Sequence, residues 1–304
     1  MVIVDKAGDG LSRLSVSRRQ ALALLAAFPF SGAAMAAQPQ RIVAIDWAML
    51  ETLVALGIMP IAATELIQFR KDAIEPALDG TVADLGLRGA PNFELLRLLR
   101  PDLILISPFY ARYEAIYRAI APVLSLPFYV RGEPPYQKAL SAVSTLAAQL
   151  GLADRARDVL LKQDTLVQET GRSLQAFAAR PTYLVNVGDS RHVRIFGADS
   201  MFGDVLMRLG LPNAWKDRSR YTFAAPVPIE NLAAEPDARI VVISEIPVEA
   251  RSSLKNSVIW QSLPPVRAGR VLMLDNINPY GGIVAAARFM RLLKKALPSS
   301  GETP

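Results

Sequence analysis

Residues Asp84–Tyr110 read DLGLRGAPNFELLRLLRPDLILISPFY. A glycine-flanked turn, Gly86-Leu87-Arg88-Gly89, carries one arginine. A short helix opens at Pro91-Asn92-Phe93-Glu94 and is broken by Pro101. The apolar run Leu103–Ile106 then reads as a buried strand, followed by a loop that holds Tyr110. Buried all-apolar strands between helices belong to parallel sheets, whose strand ends and following loops carry ligand contacts.

Working outward, the same alternation continues. Arg41–Ile45 is an apolar strand followed by Asp46-Trp47, and Ala48–Leu56 is a helix stopped by Gly57. Met59–Ala63 is a strand, and 65–80 reads as a loop able to line a cleft. Downstream come a helix over 111–120 and a strand near 123–130. Two helical stretches follow, Pro134–Leu150 and Ala153–Ala179. In the second, Val159, Leu160, Leu166, Val167, Leu174 and Phe177 form one apolar stripe, and Gly171 marks a place where it could bend. A helix of that length ends one lobe and starts another.

Beyond it the pattern repeats. Strands at Thr182–Val187 and Val193–Phe196 precede a helix, Met201–Leu209, that stops at Gly210 in the sequence Leu-Gly-Leu-Pro, as Leu-Gly-Ile-Met-Pro stops the first at Gly57. About 135 residues after the opening stretch, Ile229-Glu230-Asn231-Leu232 runs to Pro236-Asp237 and the strand Ile240–Ile243, echoing Phe93-Glu94-Leu95-Leu96, Pro101-Asp102 and Leu103–Ile106. A strand at Val271–Leu274, a loop over 275–282 and a helix at Ile283–Leu297 close the chain. The fold class expected is α/β: two Rossmann-like lobes with mainly parallel sheets, joined by a single long α-helix. The divisions expected are 1–36 as an export signal, 37–150 as the first lobe, 151–180 as the connecting helix and 181–304 as the second lobe.

The N-terminus carries Ser17-Arg18-Arg19, an apolar run Ala21–Phe30, and Ala34-Met35-Ala36. Positive region, short apolar region and A-x-A site make an export signal, and the paired arginines point to the twin-arginine route over the general secretory one. The apolar run falls short of the ~20 residues needed to cross a bilayer. With no cysteine in 304 residues, disulfides, thiolate metal sites and cysteine nucleophiles are excluded, and so is a lipidated cysteine at the cleavage site. The expectation is a soluble monomer in the periplasm, free of any membrane anchor. The charge is +6, of which the first 36 residues hold four basic and two acidic, leaving +4 spread thinly over the rest. That dispersion argues against a nucleic-acid partner, which would need a concentrated basic face.

No catalytic constellation presents itself. His192 is the single histidine, and the glycine-rich nucleotide cradles and the G-x-S-x-G elbow are absent. An enzyme is not excluded, but no constellation asks for one, and the residues placed for binding favour a binding protein that is not an enzyme. Arg88 after its glycine turn suits an oxygen-rich anionic group, although a plain surface arginine fits the residues as well. Tyr110, Tyr280, Trp47, Tyr221 and Phe223 fall in segments after strands, from both lobes, which favours a shared cleft over simple core packing.

Taken together, RIVAIDWAMLETLVALGI (41–58), DLGLRGAPNFELL (84–96), GADSMFGDVLMRLGLPNAW (197–215) and PYGGIVAAARFMRLL (279–293) resemble the periplasmic iron–siderophore-binding proteins, and among them the ferric-hydroxamate binders. The resemblance covers roughly Arg41 to Leu297. It implies the fold of a class III periplasmic binding protein, and a protein that captures a ferric hydroxamate between its lobes and delivers it to an inner-membrane ABC permease. It further implies that Arg88 and Tyr110 hydrogen-bond the hydroxamate oxygens, that Tyr280 is a second-lobe wall, and that the protein needs no cofactor, because the iron(III) arrives already chelated. Where the family has pocket tryptophans, this chain has Thr222, between Tyr221 and Phe223, and Asn278. Its second-lobe wall is therefore expected to be less aromatic. By the family's docking logic Glu94 and Glu230 would be acidic knobs for the permease, though both are also favourable helix N-terminal carboxylates.

Other ligands suit the same fold. A catecholate complex would call on several arginines, with Arg112, Arg131 and Arg194 as candidates. Cobalamin stays open, and haem is disfavoured by the single histidine. A periplasmic α/β enzyme is the rival from a different class.

Overall fold

In a computed structural model, residues 41–218 and 222–300 are described. The expected export signal and Tyr221 lie outside the described residues. The first sheet is built by β1 (Ile42–Ala44), α1 (Trp47–Ala55), β2 (Ala62–Ala63), α2 (Leu66–Asp72), β3 (Ala83–Asp84), α3 (Phe93–Leu98), β4 (Leu103–Ile106), α4 (Glu114–Arg118) and β5 (Val123–Ser125). Its strands pair in the order β3-β2-β1-β4-β5 and every pairing is parallel. Crossovers run one way from β1 to β3 and the other way from β4 to β5. The carboxyl ends of β1 and β4 therefore meet at the switch point where doubly wound sheets bind ligands. Trp47 follows one of these strands and Tyr110 follows the other.

Two helices follow, α5 (Tyr136–Gln149), which ends the first half, and the long α6 (Ala153–Leu174), which joins it to the second. Helix α6 spans about 33 Å at 1.5 Å per residue. Its helical hydrogen bonding is continuous through Gly171, and a short 3₁₀ turn, Gln175–Phe177, finishes it. All six residues of its expected apolar stripe lie in or against the core.

The second half contains β6 (Thr182–Val187), β7 (His192–Ile195), α7 (Met201–Arg208), β8 (Ala224–Pro228), β9 (Arg239–Val242), α8 (Val248–Lys255), α9 (Val258–Ser262), α10 (Pro264–Arg267), β10 (Val271–Met273) and α11 (Ile283–Ala296). Its sheet runs β10-β9-β6-β7-β8. The β10-β9-β6 flank is parallel and reproduces β5-β4-β1. The opposite flank does not: β7 and β8 are antiparallel. A lone parallel bridge, Thr182 with Asn213, stands where the first sheet has β2. The repeated helix stops match in detail. Gly57 and Gly210 both sit at φ +79°, and the residue after each donates its N–H back to the same helical position, Ile58 to Leu53 and Leu211 to Leu206. Only glycine holds that backbone conformation at no steric cost.

Three expectations change. The segment 65–80 is not all loop, since it holds α2, which buries Leu66 and Phe69 against the core. Its first turn is capped by the Asp84 side chain, which accepts from the Leu66 N–H at 3.1 Å. That cap comes from β3, so no local sequence signal announces it. The helix expected over 111–120 is a 3₁₀ helix, Pro108–Tyr113, running into α4, so Tyr110 belongs to a helical turn and not to a loop. The strand expected over 123–130 stops at Ser125, two residues before Pro127, which has no N–H to give a ladder.

One apolar cluster runs through both halves. It joins Ile42, Trp47 and Leu53 of the first half, Leu146 of α5 and Leu174 of α6 to Leu184, Phe202, Val241 and Phe289 of the second. Smaller clusters back each sheet on its far side.

Candidate functional site

Arg88 is fixed from three directions. Its Nε donates to the Glu65 carboxylate at 2.6 Å, and its backbone N–H donates to the other oxygen at 3.1 Å. Its guanidinium carbon lies 3.9 Å from the centre of the Trp47 ring and 5.2 Å from that of Tyr280. The bidentate hold uses Nε, while the terminal nitrogens make no hydrogen bond to any described residue, so their N–H groups remain to be offered. Glu65 performs this task at φ 51°, a left-handed conformation unusual for a residue with a side chain. Trp47 is itself buried, with its Nε1 donating to the Thr64 carbonyl at 3.0 Å and its edge against Phe69. It is thus a platform under Arg88 and not the exposed cleft wall that its position suggested.

Tyr110 is also buried, in the cluster behind the first sheet, with its ring edge against Phe109. Its hydroxyl has no hydrogen-bond partner among the described residues. Burial pushes its ionisation far above the usual tyrosine range, helped by the nearby Asp46 charge and opposed by Arg88, so it stays an O–H donor. Asp46 ties the two strand ends together. One oxygen caps α1 through the Ala48 and Met49 N–H groups, and the other accepts from Ser107 at 2.7 Å. Burial raises the Asp46 carboxyl against these bonds.

From the second half, Tyr280 packs on Phe223 with centroids 6.1 Å apart, and Phe223 packs edge-on to Phe196 at 5.9 Å. Asn278 is turned inward. It is 1 % exposed, and its amide is consumed internally, the nitrogen donating to Glu51 at 2.7 Å and the oxygen accepting the Tyr280 N–H at 2.9 Å. It supports the tyrosine turn. Thr222 is likewise buried, at 5 %. Glu94 and Glu230 are exposed, in the first turn of α3 and of the 3₁₀ helix Ile229–Ala234.

The chain matches the family model for periplasmic binding proteins over residues 42–277. It belongs to the periplasmic binding protein family. Among relatives of this binding protein, the iron(3+)-hydroxamate-binding protein FhuD of Escherichia coli is 31% identical over 93% of this chain and 97% of its own length. The achromobactin-binding periplasmic protein of Dickeya dadantii is 29% identical over 82% and 83%. The structure of FhuD from Vibrio cholerae bound to Fe3+–Desferal superposes with a TM-score of 0.81 at 26% identity, covering 86% of this chain and 99% of that one.

Three residues of this binding protein's site were not anticipated. Glu65 lay in a stretch read as a loop able to line a cleft, with no residue of it singled out. Tyr129 donates its hydroxyl to the Gly281 carbonyl at 2.6 Å, pinning the Tyr280 turn to the first half. Glu51 is the third, and a signal for it existed: it is the lone charge in the otherwise apolar helix WAMLETLVA. It is fully buried and accepts from Asn278, from the Gly282 N–H at 2.7 Å and from the Ala285 N–H at 3.1 Å. The carboxylate therefore caps α11 from the opposite lobe. Gly281 is required beside it, because a Cβ there would come within 2.4 Å of both Ala285 Cβ and the Glu51 carboxylate.

Burial pushes the Glu51 carboxyl up to about 7 against those three donors. The folded protein then holds a proton that the unfolded chain has released, across the window from the ordinary value of 4.5 up to about 7. Stability falls as pH rises through that window. Raised Asp46 acts in the same direction. Denaturant unfolding at pH 5 and pH 8 is expected to show a loss of up to about 3 kcal/mol attributable to Glu51. In Glu51→Gln most of that pH dependence disappears; an unchanged slope in the variant would refute the assignment.

Proposed function

We propose that this protein captures ferric hydroxamate siderophores in the periplasm and delivers them to an inner-membrane ABC importer. The observation that carries this reading is the fixed guanidinium of Arg88. It is held by Glu65, stacked on Trp47, faced by Tyr280, and presented at the switch point of the first sheet together with the Tyr110 hydroxyl. A ferric hydroxamate presents oxygens already bound to iron, each still able to accept a hydrogen bond. Arg88 supplies charged donors and Tyr110 a neutral one, while Tyr280 and Phe223 supply apolar faces for the organic arms. The iron comes with its own ligands, so no metal-binding side chains and no cofactor are called for, and no bond is made or broken. The work is binding and release, not catalysis. The hydroxamates named for FhuD of E. coli and the Fe3+–Desferal held by FhuD of V. cholerae support the same substrate class. The N-terminal 36 residues serve as the export signal, and the mature protein acts as a monomer. Exposed Glu94 and Glu230, one per half, are the acidic contacts offered to the permease.

Titration with a panel of ferric chelates, followed by intrinsic tryptophan fluorescence, tests the reading. Trp47 lies 3.9 Å from the Arg88 guanidinium, so occupancy of the site is expected to quench it. Saturable quenching by Fe3+–Desferal and related hydroxamates, with none by cobalamin or a ferric catecholate, is the expected result. The reverse pattern overturns the substrate class.

A further inference from the structure

The aromatic pair Tyr280–Phe223 has a cation on each side. Arg88 faces Tyr280, and from the second sheet Arg194 places its guanidinium carbon 5.2 Å from the centre of the Phe223 ring. The two arginines are electrostatically unlike. Arg88 is ion-paired with Glu65 at 2.6 Å. Arg194 makes no ion pair with any described residue. It lies on the exposed face of β7, in register with Asn186, and the two-residue period of the strand puts Phe196 on the same side.

That face lines a cavity of about 440 Å³ adjoining the Tyr280 turn, closed from the first half by Lys71 of α2 and on the turn's side by Asn276 and Pro279. Three acids share its lining, Asp72, Glu245 and Glu249. Asp72 is engaged at both oxygens by the Gln68 amide at 2.8 Å, and Glu245 and Glu249 are exposed. None of the three comes within ion-pairing distance of Arg194. An arginine set over an aromatic ring, beside a cavity and with its donors unspent, matches a planar carboxylate.

We propose that Arg194 is a specificity residue that recognises a carboxylate on the siderophore's outer arm, so the protein prefers hydroxamate complexes carrying a free carboxylate. This inference rests on the reading of the cleft given above. Arg88 and Tyr110 hold the iron centre in the first half, and the arm that crosses Tyr280 and Phe223 ends at Arg194. The charge it meets there decides between complexes with the same iron coordination.

The test uses one linear ferric trihydroxamate in three forms: terminal amine free, amine acetylated, and amine capped with succinate. Their outer ends are cationic, neutral and anionic, while the iron centre is identical. The succinylated form is expected to bind about 10-fold tighter than the acetylated one at low ionic strength, with the margin shrinking as salt is raised. In Arg194→Gln the margin closes, and saturable binding of the acetylated form reports an intact site. Equal binding of all three forms by the natural protein overturns the carboxylate preference alone. A margin that survives in Arg194→Gln removes Arg194 from the role. Binding of none of the three overturns the hydroxamate reading itself, and this inference with it.

Discussion

Arg88→Ala is expected to weaken ferric hydroxamate binding by at least about 100-fold. Hydrogen bonds from a charged donor contribute roughly 1.5–3 kcal/mol each, and the terminal guanidinium nitrogens can offer more than one. Two such bonds lost correspond to about two decades or more in Kd. The protein itself should stay folded. What it loses is a partly exposed ion pair to Glu65 and a stack on Trp47, together about 2 kcal/mol. Arg88→Lys sharpens the test, because it keeps the charge and discards the planar fork that Glu65 and Trp47 orient. An intermediate loss of about 10-fold is expected for lysine. Isothermal titration against Fe3+–Desferal measures both variants. Affinity for the alanine variant within 3-fold of the natural protein would remove Arg88 from the site.

Glu51→Ala carries the largest expected cost in stability. Its carboxylate satisfies three buried donors: the Asn278 amide and the Gly282 and Ala285 N–H groups at the start of α11. Truncation orphans all three at about 1–3 kcal/mol each and leaves a void under the turn. A loss of at least about 4 kcal/mol is expected by urea denaturation at pH 7. Glu51→Gln retains volume and one acceptor oxygen, so it should lose about 2 kcal/mol or less. The alanine variant should also bind more weakly, because Asn278 then no longer holds the Tyr280 turn in place. A loss under 1 kcal/mol in the alanine variant would show that the network is not what positions this turn.

The residues differ in how plainly they announced themselves. Leu103–Ile106 is an unbroken apolar run ended by a polar residue, and β4 occupies those four positions. Gly57 and Gly210 were legible because a positive-φ helix stop has one cheap solution, and the chain uses it twice. The antiparallel β7–β8 flank was hidden, since parallel and antiparallel edge strands share the same two-residue period. Within the site, Arg88 stood out by its glycine turn. Nothing local reveals that Trp47 lies beneath it or that Glu65 grips it from 23 residues upstream. Asn278 misled for a related reason. Its side chain is turned inward, to a carboxylate 227 residues away in sequence. Contacts between distant segments decide these cases, and a single chain read in order does not display them.

The apolar cluster that threads both halves has a consequence for how the molecule comes apart. Leu53, Leu174, Phe202 and Phe289 belong to one continuous interior, so neither half keeps a closed core when the other is removed. Alike as their parallel flanks are, the two halves share one interior. They are expected to melt as one cooperative body and not in sequence, so calorimetry should show a single transition, and severing the chain between them should leave two sticky fragments in place of two small proteins.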